Sequence, residues 1–428
     1  IAALERAGRA HLIGEARQAG RMTFGFAHAL IPFTLRASVS GLRLQRLHRR
    51  AAMAIERLRP DDVEALAYHF IAAGERAQGI VYSRRAAQRA EAVYAYDAAI
   101  QHLHTTLDLL HTEAQIELRL AVLEQLADVY CLRGERTQAI PIYQEALDRW
   151  RSLAGADMMI AVRLQRKIVQ TVADMKFRAD FAQFAAVAQT GVPARASLEA
   201  MLSLLEGTPP QPETVRVLAT LSHDAWFTPV TPDWDAAERY ARSAVAVAEQ
   251  LDMPAELSAA LGTLANVEYA RGRLRERLQV ALRRLALSRD PRFGDLRQRL
   301  SILWETGAAL ADVGDYAQAL PYLREAERLA GQIHAVGQQV YALRLQSRCW
   351  LQLDRWDDTL TAEEASRTLA QRSPREQIGP TCLEIALSAT VHALRGQFER
   401  ATALREEAYA IMTAAAGPPE YWRRMQHY

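Results

Sequence analysis

The chain has 428 residues, 50% hydrophobic and 24% charged, with 52 basic against 50 acidic side chains, which excludes a disordered chain and a global field built for nucleic acid. At roughly 150 residues per domain, the length admits about three domains or one long repetitive array. No run of about 18 apolar residues is present to span a membrane, and Cys131, Cys349 and Cys382 form no CxxC pair and no even-numbered framework, so a zinc knuckle and a disulfide scaffold are excluded and a reducing, cytoplasmic setting is expected.

In chain order, residues 1–10 are helical in pattern from the first residue, an Ile rather than a Met, so the segment is expected to continue a longer chain. Leu12 to Glu15 reads as a short strand, Gln18 to Arg21 as a turn, and Met22 to Phe26 as an alternating second strand; a helix followed by such a hairpin is how a winged-helix domain ends. An amphipathic helix follows from Leu42 to Leu58 and is closed by Pro60. Asp61 with Glu64 is the spacing of a capping box for the next helix. These signals divide the chain into a winged-helix remnant at 1–60, a connecting helix at 61–79 and a repeat array at 80–428.

The array has an internal period. Tyr130-x3-Gly134-x4-Ala139-x3-Tyr143-x2-Ala146 and Leu310-x3-Gly314-x4-Ala319-x3-Leu323-x2-Ala326 share the spacing of the tetratricopeptide (TPR) pattern, in which paired helices present small residues where their backbones approach. The turn inside each pair falls at Tyr94, Gly134, Ala179, Pro232, Gly272, Gly314, Asp354 and Gly396. A small residue precedes it by seven positions at Ala87, Ala127, Ala225, Ala265, Gly307, Ser347 and Ala389, with Val172 the exception. Five positions after the turn stand Ala99, Ala139, Ala237, Ala319 and Ala401, whereas Phe184, Arg277 and Thr359 mark irregular repeats. The period, about 42 residues against 34 in the standard repeat, lengthens each helix by roughly one turn. Gly207 to Glu213 and Thr228 to Pro232 read as surface insertions in the long third interval, and the segment from Gly417 ends the last helix. The expected fold is all-α, a right-handed TPR-like solenoid of about eight repeats with a small winged-helix remnant in front.

Catalytic and metal-binding constellations are missing from the sequence. Only Lys167 and Lys176 are lysines, and neither stands in G-x-x-x-x-G-K-[ST], so no Walker-type nucleotide site is present and no cofactor is expected. No His-Glu-x-x-His or Gly-x-Ser-x-Gly occurs; His102 and His104 are two apart on a helix and share no face, and His111 has no carboxylate to complete a site. Arg43, Arg46, Arg50 and Arg57 line one helical face opposite Leu44, Leu47 and Ala51, a solvated or intramolecular face that a DNA-reading helix would resemble.

Phe24-Gly-Phe26-Ala-His28-Ala-Leu30-Ile31, Leu47-His48-Arg49-Arg50-Ala-Ala52, Leu66-Ala-Tyr-His69-Phe and Tyr94-Ala-Tyr96-Asp-Ala-Ala99 resemble the winged-helix-to-TPR junction of STAND-class signal-transduction ATPases, a group that includes maltose-regulator-like activators. The resemblance implies an upstream nucleotide-binding domain of the same chain as a partner. It also implies a nucleotide-sensing histidine, for which His28 is the matching residue; the alternative for His28 is a histidine packed beside the hairpin. His48 and His69 read as structural residues of the junction. An effector, protein, peptide or small molecule, would sit in the groove of the stacked first helices, where Asn266, Tyr269, Trp304, Arg344 and Arg348, and at the other end Glu124 and Asp128, fall on the inner face. Tyr269, Trp304, Arg344 and Arg348 together suit an anionic or aromatic effector; the alternative is ordinary surface composition. Trp350 falls on the packing side. The expected role is a non-catalytic sensor and autoinhibitory arm, with a passive TPR scaffold and a winged-helix DNA-binding regulator as alternatives; neither membrane nor direct nucleic-acid binding is expected.

Overall fold

The computed structural model describes residues 2–18, 21–110, 115–153, 155, 157–177, 195–205, 209–226, 232–290, 292–293, 296–372 and 382–414. Twenty helices and one two-stranded hairpin form among them. The chain divides into two compact units, Ile1–Ala92 with Asp97–Gln115, and Val93–Tyr96 with Ile116–Tyr428.

The first unit holds α1 (Ala2–Arg9), β1 (Ile13–Gln18), β2 (Arg21–Phe26), α2 (Leu30–Ala37), α3 (Gly41–Leu58), α4 (Val63–Ala72), α5 (Arg76–Ala92) and, from Asp97 on, α6 (Tyr96–Leu109). The expected hairpin is present, antiparallel from Ile13 opposite Phe26 to Gln18 opposite Arg21, with strands longer than the alternation alone indicated. Further along, α3 matches the amphipathic helix expected from Leu42 to Leu58. The capping box does not form: Asp62, not Asp61, precedes α4, its carboxylate bonds no helix amide, and Arg59 takes it at 3.2 Å. The core of this unit gathers Ala52, Val63, Leu66, Ala67, Phe70, Tyr82 and Ala86, with the Phe70 and Tyr82 rings stacked at 5.3 Å. Leu30, Phe33, Leu42 and Leu58 remain exposed.

The second unit runs α7 (Ile116–Arg133), α8 (Arg136–Arg151), α9 (Met158–Phe177), α10 (Arg195–Leu205), α11 (Pro212–Trp226), α12 (Trp234–Gln250), α13 (Pro254–Ala270), α14 (Leu274–Leu287), α15 (Leu296–Asp312), α16 (Tyr316–Gln332), α17 (Val336–Gln352), α18 (Trp356–Arg372), α19 (Cys382–Leu394) and α20 (Phe398–Ala414). From α11 on, consecutive helices pack in pairs, and each first helix from α9 to α19 also touches the next first helix. That second set of contacts builds one continuous inner wall. Ala179, Phe184, Gly207, residues 228–231, His111 and the segment from Gly417 lie outside the described residues.

Most seam positions expected to be small are buried for the reason the pattern requires, whereas Ala389 and Ala401 in the last pair are only half-buried. Ala87, Ala127, Ala225, Ala265 and Ser347 have no exposed surface, as do Ala99, Ala139, Ala237 and Ala319 on the partner helices. The turn positions are equally physical: Tyr94, Gly134, Gly272, Gly314, Asp354 and Gly396 all take positive φ, from 57° at Asp354 to 93° at Gly314. At Gly314 the residue's own amide reaches Ala311 O at 3.2 Å and the next amide, Asp315, reaches Leu310 O at 2.9 Å, the paired bonds that close a helix C-terminus through a left-handed residue. Gly74, between α4 and α5, has the same geometry, so this turn chemistry begins before residue 80.

Pro232 departs from its expected equivalence, because a proline ring holds φ near −65°. The turn is closed instead by the Asp233 amide on Ala225 O at 2.9 Å, and the Asp233 carboxylate caps α12 by accepting from the Ala236 amide at 2.9 Å. Glu213, expected in a loop, lies in the first turn of α11 behind Pro212. Trp350 is core, packed in a cluster with Leu320, Leu323 and Leu343.

Candidate functional site

The inner wall encloses a groove of about 600 Å³ in the second unit, lined by side chains of α9, α11, α13 and α15, with one from the outer helix α14. Two of the residues expected on the inner face, Asn266 on α13 and Trp304 on α15, line it. Trp304 packs beside Leu300, Leu303 and Leu329. Thr220, Thr263, Gln170 and Ser301 add amide and hydroxyl groups to a lining that also carries charged and aliphatic side chains.

The wall is laced by ion pairs from helix to helix. Arg163 on α9 grips Glu124 on α7 through Nε and Nη2 at 2.7 and 2.9 Å, and Lys167 reaches Glu124 at 2.7 Å and Asp128 at 2.6 Å. Arg166 donates to Glu213 on α11 at 2.6 Å, and Arg216 on α11 donates to Glu256 on α13 at 2.5 Å. Glu213 and Glu256 both stand in a first helical turn opened by proline, where the helix dipole favours a carboxylate. The cations here serve the joints between repeats.

Two further rungs are buried as deeply as the Arg166–Glu213 pair. Arg277 and Arg284, one heptad apart on α14, pair with Asp312 and Glu305, one heptad apart on α15. Arg284 threads past Gly262 and also donates to Ser258 Oγ at 3.0 Å and Ser301 Oγ at 3.2 Å. A Cβ at Gly262 would lie 2.9 Å from its Nη1, so the bare backbone of α13 opens the passage. Arg277, which breaks the alanine pattern of its repeat, stacks 4.2 Å from the Tyr269 ring.

These pairs decide where the remaining expected residues go. Tyr269 is covered by Arg277, and Arg348 on α17 shares Asp312 with it at 3.1 Å, so both belong to one cluster beyond the groove. The Arg344 guanidinium stands 5.2 Å from the Tyr341 ring. Glu124 and Asp128 belong to the α7–α9 joint. His28, in the first unit, is exposed, and its Nδ1 accepts the Leu30 amide at 3.2 Å at the start of α2. His48 and His69 face each other with Nδ1 atoms 2.9 Å apart, beside the Tyr68 ring. Among the described residues no group of three His, Cys, Asp or Glu side chains is placed to hold a metal ion, and no helix is long and apolar enough to cross a membrane.

Burial pushes the Glu124 carboxyl up, but the hydrogen bond from Arg163 and the charge of Lys167 outweigh it and hold the group below its ordinary value of 4.5. A depressed carboxyl gives stability that is complete above the ordinary value and lost as pH falls through the lower folded one. Glu124→Gln is therefore expected to flatten the loss of unfolding free energy between about pH 5 and about pH 3 in chemical denaturation. Equal slopes in the two proteins would show that the joint does not depend on this charge.

A tetratricopeptide-repeat family model matches residues 119–157, which contain α8 and most of α7. No curated protein matches the chain. Among solved structures, the chain is similar to a Rap protein complexed with competence and sporulation factor, at TM-score 0.52 and 11% identity over 90% of this chain and 96% of that one. It is also similar to a STAND protein with a tetratricopeptide repeat sensor from Pyrococcus horikoshii, at TM-score 0.51 and 12% identity over 96% of this chain. It spans 59% of that protein's length. BtubC (BKLC) from P. vanneervenii aligns at TM-score 0.45 and 17% identity over 52% of this chain. At these identities the likeness is one of fold: the chain is an all-α, TPR-like helical solenoid.

Proposed function

We propose that the chain is a non-catalytic sensor arm whose inner groove binds a protein or peptide effector. The observation that carries this reading is the groove itself, a cavity of about 600 Å³ of mixed polar and apolar lining walled by first helices of consecutive repeats, with Asn266 and Trp304 among its lining residues. The TPR match and the two solenoid neighbours, one a STAND protein with a tetratricopeptide repeat sensor and one a Rap protein complexed with competence and sporulation factor, support it. In the same reading the helix and hairpin of 1–60 are a winged-helix remnant, the exposed Leu30, Phe33 and Leu42 side chains suit docking against an upstream nucleotide switch of a STAND-type regulator, and His28 is its nucleotide-sensing residue. An effector that binds the open and closed arrangements unequally would shift that switch.

The test is selection of peptides from a random octapeptide display library on the full chain. Selected peptides are expected to lose tenfold or more in affinity on the Asn266→Ala, Trp304→Ala double variant with its helicity unchanged. Equal binding by the variant, or no selection at all, would defeat the reading. Small-angle scattering with a selected peptide separates a sensor, whose dimensions change, from a passive scaffold, whose dimensions do not.

A further inference from the structure

Trp304 and Glu305, consecutive residues of α15 that line the groove, each carry a buried polar atom with no hydrogen-bond partner. Glu305 is 3% exposed; its Oε2 takes Arg284, while Oε1 has no donor. The neighbouring Trp304 indole N–H is likewise buried without an acceptor. A carboxylate oxygen removed from water and left unpaired is the costlier of the two, because its charge makes the lost solvation larger.

The charges around it define what can satisfy it. Arg166 and Arg216 are engaged by Glu213 and Glu256, and Lys167 by Glu124 and Asp128. An anion entering the groove would have to break an existing pair and would then lie beside a carboxylate. A cation is instead drawn to the Glu305 carboxylate, whose Oε1 lacks a donor although Arg284 holds its Oε2, and to the indole of the adjacent residue, and tryptophan is the strongest ring for cation–π attraction. Ser301, one turn before Glu305, is exposed and small where it borders the same cavity. A planar guanidinium can donate along its edge and stack on its face at once, which an ammonium cannot.

We propose that the groove takes an arginine side chain of the effector peptide, its guanidinium stacked on Trp304 and donating to Glu305 Oε1. This rests on the reading of the groove as a peptide site and specifies its chemistry: the preferred effector is basic at one position.

The test uses the full chain and octapeptide libraries with one fixed central residue: arginine, lysine, citrulline, glutamine or glutamate. The arginine library is expected to bind at least tenfold more tightly than the citrulline library, which keeps the shape and removes the charge. Glu305→Gln should reduce that preference to within two- to threefold, read as the ratio of arginine to citrulline binding within the variant, so that any general loss of affinity from the broken Arg284 pair cancels. Should that variant not fold, Trp304→Phe, which keeps the packing, is expected to lower the arginine preference several-fold. Binding that depends on Asn266 and Trp304 with no arginine preference, a preference for glutamate, or a preference that survives both variants would overturn the inference and leave the groove reading standing. No binding by any library would overturn both.

Discussion

Arg284→Met is expected to destabilise the α13–α16 region by about 3–5 kcal/mol, the cost of leaving one member of a buried ion pair without its partner. Arg284 and Glu305 are 8% and 4% exposed at their side chains, so solvent cannot replace the lost guanidinium. Ser258 and Ser301 lose a donor in the same step. The double variant Arg284→Met with Glu305→Leu removes both charges and is expected to return to within about 1 kcal/mol of the parent, because a buried pair replaced by apolar side chains of similar volume is often neutral or stabilising. Native-state hydrogen exchange of the α13 and α15 amides is the suitable measurement, since repeat arrays unfold by neighbouring units rather than in one step. Single and double variants equally unstable would mean that packing around Arg284, and not its charge, holds the joint.

Gly307→Ala is expected to lower stability by about 1–2 kcal/mol, against the ordinary gain of about 1 kcal/mol for this change inside a helix. A Cβ at this position would stand 2.6 Å from Leu323 Cδ2, 2.7 Å from its Cγ and 3.3 Å from Ala319 O. Leu323 has no exposed surface and the Ala319 carbonyl is backbone, so neither neighbour can yield. In a Leu323→Ala background the same substitution is expected to become neutral or stabilising by about 0.5–1 kcal/mol, as helix propensity reasserts itself. A double-mutant cycle without such a change of sign would remove Gly307 from the list of contacts that set how closely α15 and α16 approach.

Gly307 was legible from its place seven residues before a turn, and the left-handed turns were legible as glycines or as Tyr94 and Asp354 at the same register. The ion-pair ladder was not. Arg277 stood out only as a failure of the alanine pattern, whereas it is a buried cation spanning Tyr269 and Asp312. The heptad spacing shared by Arg277 and Arg284 and by Asp312 and Glu305, with Gly262 opening a path, was a readable signal. Tyr269, Trp304, Arg344 and Arg348 shared an inner-face register, yet Arg348 turns to Asp312 while Trp304 lines the groove. Register places a residue on a face of its own helix, and the partner it finds depends on the next helix.

The helix pairs, their turns and the small-residue seams were therefore determined by the sequence alone, because each rests on backbone conformation or on spacing within one or two helical turns. Which charges neutralise one another was decided only in three dimensions, where pairs such as Arg166 with Glu213 and Arg348 with Asp312 are 47 and 36 residues apart in the chain. Long flexible side chains reach several neighbours on facing helices, and burial selects among them. That selection leaves the wall's cations engaged and Glu305 with one oxygen unpaired.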